Sequence, residues 1–73
     1  MNNLSYVLTR DAAIELFADC IMPMVVHAYE FDGHPDWIAR SEAWNNWTDG
    51  LCQDGRISLW QYENWSPPDV CGD

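Results

Sequence analysis

Apolar residues recur along this chain in three runs with helical spacing, separated by short stretches of turn and cap residues. The last run, Gly55 to Trp65 (GRISLWQYENW), is the most explicit. Ser58 and Gln61 stand three apart, the capping-box spacing, so a hydroxyl and a carboxamide can satisfy backbone N–H groups that an opening helix leaves unpaired. This spacing predicts a helix beginning at Leu59, and Ile57 with Tyr62 has the spacing of a hydrophobic staple. Leu59, Trp60, Tyr62 and Trp65 give the short helix too much apolar surface to stand alone in water. It must dock against something earlier in the chain.

Two earlier runs offer faces. Thr9 is a fair N-cap, and Asp11 suits the positive end of a helix dipole, so a first helix is expected from Arg10 toward Glu30. Its stripe is Ile14, Phe17, Ile21, Met24, Val25 and Ala28. Pro23 removes a backbone donor and crowds the preceding turn, which predicts a kink or break near Cys20 to Met22. Phe31-Asp32-Gly33-His34 reads as a turn, and Pro35 suits the first position of a second helix running to about Cys52. That helix places Trp37, Ser41, Trp44, Thr48 and Leu51 on one side, flanked by Ile38 and Trp47. Asp49-Gly50 would fray its end, and Asp54-Gly55 is the firmer stop. Before the first helix, Leu4, Tyr6 and Leu8 alternate in a short extended lead-in. After the last, Pro67 and Pro68 force an extended tail. The expected fold is all-α: one compact three-helix domain over residues 1–73, with an extended N-terminal lead-in and a Pro-containing C-terminal tail.

Size and charge narrow the picture. At 73 residues a single core supplies only about 3–5 kcal/mol, so some compensation is expected. An odd set of cysteines, Cys20, Cys52 and Cys71, behind an N-terminus without a signal peptide reads as reduced and cytosolic. Aromatic packing is the expected compensation, from five Trp, three Tyr and two Phe. No apolar run approaches the roughly 18 residues of a membrane span. Twelve acidic residues face three arginines and no lysine, for a formal net charge of −9. Such a surface repels nucleic acid and anionic membranes, because there is almost no cation to displace their counterions.

Enzymatic signatures are missing. There is no glycine-rich phosphate loop, serine elbow, HExxH or lysine, and Cys20 and His27 lie two helical turns apart, too far for an activated thiol. No catalytic residue and no cofactor are expected. Cys20, His27, His34, Cys52 and Cys71 are zinc-ligand types without zinc spacing, so no metal is expected. Cys20 and Cys52 then read as small core hydrophobes, and His34 as a turn cap.

What remains is surface. Asp11, Glu15 and Asp19 are four apart, a helical row with a rise of about 6 Å per step, similar to the separation of successive phosphates on a nucleic-acid strand. Like charges at this spacing repel, and no cation lies within the row, so it is either a solvated face or a binding face. Glu30, Asp32 and Asp36 form a second acidic group that would extend it. Among the tryptophans, Trp47 and Trp65 lie at the margins of their apolar faces and are the expected exposed anchors.

In size, acidity and aromatic content the chain resembles the small inhibitors that bacteriophages and mobile elements encode against host defence, anti-CRISPR and anti-restriction proteins of the DNA-mimic class. The resemblance is to a class and carries no aligned motif. It implies a cytoplasmic inhibitor in a bacterial host, whose carboxylates occupy the basic groove of a nucleic-acid-binding complex without binding nucleic acid or membrane. The alternative is a non-catalytic interaction module that binds a partner, or a second copy of itself as a homodimer, through an aromatic patch.

Overall fold

The computed structural model describes residues 7–72. It is all-α, with three helices and, among the described residues, no strand. Leu4 and Tyr6 of the expected lead-in lie outside the described residues; Leu8 packs half-buried against the core.

Helix α1 spans Arg10–Tyr29 without a break. The Thr9 hydroxyl accepts the Ala12 N–H at 3.1 Å and caps its start. Pro23 does not break it; the irregularity expected near Cys20 to Met22 takes the form of a π-helical turn. The turn spans Phe17–Ile21, and the Met22 N–H reaches back to the Phe17 carbonyl. A proline has no N–H to offer and presses on the turn before it, and the wider loop accommodates both effects. The extra residue per turn also moves the buried stripe. It comprises Ala13, Phe17 and Val25, with Ile14, Ile21 and Met22 half-buried, while Met24 and Ala28 face outward. A four-residue step would drift around a regular α-helix; the π turn offsets that drift.

By length and composition α1 reaches the range of a membrane span, contrary to the reading of the apolar runs, which Glu15 and Asp19 interrupt. It packs through Ala13 and Phe17 into the core shared with the rest of the chain.

Helix α2 spans Trp37–Gln53, two residues later than Pro35 implies. Asp36 is its N-cap, with Oδ1 accepting the Ala39 N–H at 2.9 Å. A carboxylate that satisfies a free donor outranks a proline that merely lacks one, so Pro35 falls outside the helix. Gly50 stays helical, and the stop comes at Asp54-Gly55 as expected. The Arg56 N–H bonds to the Leu51 carbonyl at 2.8 Å and the Gly55 N–H to the Cys52 carbonyl at 3.1 Å, a Schellman pair. Gly55 makes it possible by adopting φ = +77°.

Helix α3 spans Leu59–Asn64, with the capping box formed in both directions. Ser58 N–H donates to Gln61 Oε1 at 2.7 Å, and Gln61 N–H to Ser58 Oγ at 3.1 Å. Its docking differs from expectation: Leu59 and Trp60 point to solvent, and Trp60 is 68% exposed. A helix under two turns long presents only one side to the body, here Gln61, Tyr62 and Trp65. Gln61 Nε2 donates to the Leu8 carbonyl at 2.9 Å, and Leu8 N–H to the Arg56 carbonyl at 2.9 Å, so the cap residue also holds the incoming chain.

The core is aromatic, as composition implies. Phe17 meets Trp44 edge-on at 5.2 Å and 84°, and Trp47 closes the triangle at 5.6 Å from Phe17 and 5.7 Å from Trp44. Such pairs contribute about 0.5–1.5 kcal/mol each beyond the area they bury. The fourth wall is Cys71 in the tail, which is extended through the prolines and then forms a 3₁₀ turn over Asp69–Cys71. Cysteine roles are therefore redistributed: Cys71 is buried, Cys52 half-buried and Cys20 exposed, and all three are free. Burial pushes the Cys71 thiol up, which keeps it protonated.

Candidate partner-binding surface

Asp11, Glu15 and Asp19 are all exposed on α1. Asp11 and Glu15 each sit two residues from buried Ala13, and Asp19 two from buried Phe17, so the row faces away from the core. Among the described residues no cation pairs with them. Arg10, beside the row, donates to the Ser66 carbonyl at 3.0 Å. Three carboxylates are thus held on a helix and left to solvent.

The second acidic group is used differently. Glu30 is buried, 8% exposed, and its two oxygens accept from Arg40 Nε at 2.6 Å and Nη2 at 2.7 Å. Glu30 Oε2 also accepts the Asp36 N–H at 3.1 Å. Hydrogen bonding to Arg40 holds the Glu30 carboxyl below its ordinary value, against the opposing effect of burial. The same bond raises Arg40. Asp32 Oδ1 accepts the His34 N–H at 3.0 Å, closing the turn, and Asp36 caps α2. The expected extension of the row is therefore absorbed by the α1–α2 connection: Glu30 is buried with both oxygens engaged inside the fold, while Asp32 remains at the surface.

The aromatic expectation also shifts. Trp47 and Trp65 are half-buried against the core. The outward indoles are Trp60 and Trp37, the latter 50% exposed. Trp37 is held in place: the Arg40 guanidinium lies 4.9 Å from its ring centre, and Arg40 Nη1 donates to the Val70 carbonyl at 2.9 Å. Gly72, at φ = +90°, lies so close that an added Cβ would meet the indole at 3.3 Å.

Between α2 and the tail runs an open groove of about 770 Å³, lined by Trp37, Ile38, Ser41, Glu42, Asn45 and Asp69 among others. Sequence spacing gave no sign of it, because one wall comes from the tail folded back along α2. Ser41 Oγ to the Cys71 carbonyl, 3.2 Å, fixes that return. No cluster of three His, Cys, Asp or Glu side chains able to hold a metal occurs among the described residues. Compared with known protein families, curated proteins and solved structures, the chain matches none.

Proposed function

We propose that this protein is a small acidic inhibitor, of phage or mobile-element type, that binds the basic nucleic-acid-binding surface of a host defence complex and excludes nucleic acid. The supporting observation is the row Asp11, Glu15 and Asp19: three exposed carboxylates on one helix, without a cation partner among the described residues, in a chain of net charge −9. Like charges placed together cost stability, and a surface that presents them to Lys and Arg side chains recovers that cost on binding. The mechanism is stoichiometric occlusion. Association is steered by charge, fast at low salt and weakened by added salt.

A second reading, an aromatic interaction module, is favoured by one observation: Trp60 and its neighbour Leu59 are 68% and 60% exposed on α3. One experiment separates the two. Tagged protein, the variant Asp11→Asn/Glu15→Gln/Asp19→Asn and the variant Trp60→Ala are used to capture partners from bacterial lysate at low and high salt. The inhibitor reading expects a nucleic-acid-binding protein that is retained at low salt and lost with the triple variant. Capture that survives the triple variant and disappears with Trp60→Ala replaces it with the aromatic module.

A further inference from the structure

We infer that the segment after α3, residues 66–72, is a latch that lifts from α1 and α2 while the helices stay folded, and closes again over the aromatic core. Its main-chain hydrogen bonds are its own: Cys71 N–H to the Pro68 carbonyl and Gly72 N–H to the Asp69 carbonyl, each 2.9 Å. Among the described residues no main-chain bond joins it to a helix. What holds it is a set of side-chain bonds. Arg10 Nη2 donates to the Ser66 carbonyl at 3.0 Å, Arg40 Nη1 to the Val70 carbonyl at 2.9 Å and Ser41 Oγ to the Cys71 carbonyl at 3.2 Å. Cys71 Sγ returns one bond, to the Arg40 carbonyl at 3.4 Å. Both arginine bonds are exposed, so water competes for them.

Burial is equally sparse. Pro68 and Cys71 are covered, while Ser66, Pro67, Asp69 and Val70 lie at the surface. Segments with few buried apolar contacts and solvent-exposed hydrogen bonds open below the global unfolding free energy. The helices keep their internal bonds when the segment leaves, so little opposes a separate opening. Closing is assisted by Arg40, whose Nε and Nη2 grip Glu30 on α1 while Nη1 holds the tail. The guanidinium therefore stays in place when the tail departs, and the tail returns to a formed site. What the latch covers is specific. Cys71 is 3% exposed and packs with Ala13, Phe17 and Trp44, so opening bares its thiol together with that cluster.

The test is a timed pulse of N-ethylmaleimide on the parent protein across a urea series. Peptide mass spectrometry resolves Cys20, Cys52 and Cys71, and circular dichroism follows the helices. Cys20, exposed, is the reference for an uncovered thiol. Cys71 should label far more slowly than Cys20, at a rate nearly independent of urea below the helical transition, because a small opening exposes little surface. Ser41→Ala should speed Cys71 labelling about two- to tenfold, the worth of one neutral hydrogen bond. Gly55→Ala puts a side chain on a φ of +77° outside every tail contact named above, and should lower the helical midpoint while leaving Cys71 labelling at low urea unchanged. Labelling of Cys71 that follows the helical transition with its full urea dependence, that accelerates with Gly55→Ala as the lost stability requires, or that ignores Ser41→Ala would each overturn the latch. So would a Cys71 as reactive as Cys20.

Discussion

Two groups of three carboxylates, similar on paper, meet opposite fates in this molecule. Glu30, Asp32 and Asp36 are folded into the connection between α1 and α2, where they pair, close a turn and cap a helix. Asp11, Glu15 and Asp19 do none of these things. The difference teaches that acidity here has two separate physical uses, and that net charge alone does not distinguish them. Carboxylates near helix ends and turns find backbone donors close by; Glu15 and Asp19, in mid-helix, find every nearby N–H already taken, and Asp11, in the first turn of α1, comes after Thr9 has taken the cap.

Substitutions can break this contrast, beginning with the largest effect. Arg40→Met should lower Tm most at pH 7, because it leaves Glu30 buried without its cation, the Val70 carbonyl without its donor and Trp37 without its stacking partner. Thermal unfolding followed by circular dichroism checks this, and a Tm equal to the parent's would refute the structural role of the pair. Glu30→Gln should cost less, and its signature is in the pH dependence. The folded carboxyl titrates below its ordinary value of 4.5, so its stabilisation is complete above that value and lost as pH falls through the lowered folded value. The gap in Tm between parent and Glu30→Gln should accordingly be widest near neutrality and close on acidification. A gap independent of pH would mean that shape, not charge, matters at this position.

Asp36→Ala comes next, at about 0.5–2 kcal/mol for a lost N-cap, read from urea denaturation. The smallest effect is expected from Asp11→Asn/Glu15→Gln/Asp19→Asn, a gain of a few tenths of a kcal/mol as like-charge repulsion is relieved. A clear loss of stability in that variant would show the row to be engaged within the fold after all, and would end the contrast.

Local chemistry was legible in the sequence; chemistry that depends on chain reversal was not. The Ser58/Gln61 box and the Asp54-Gly55 stop act within a few residues, and both formed as read. The sequence reading places the start of α2 at Pro35 and misses the N-cap role of Asp36. The fold sets the start by giving Asp36 both a donor to cap and an acceptor, Glu30, for its own N–H. Glu30 and Arg40 stand ten apart, outside any helical pairing rule, and meet only because the turn brings α1 and α2 together. Of the candidate surface, the α1 row was visible as a pattern. The groove was not, since Trp37 and Asp69 share it only after the tail returns. Trp60 and Trp65 show the same limit: both belong to one short apolar run, and only packing decides which of them is covered.

The bond from Gln61 to the Leu8 carbonyl has a kinetic consequence. It joins positions 53 apart, and the Arg10 to Ser66 bond joins positions 56 apart. Closing a loop of that length costs chain entropy that helical neighbours alone never incur, with each doubling of length adding about 0.6 kcal/mol. The two long helices can form early from local contacts, but the aromatic core lacks its Cys71 wall until the far end of the chain arrives. Folding should therefore be slower than its helical content implies, with the late barrier set by the return of the tail.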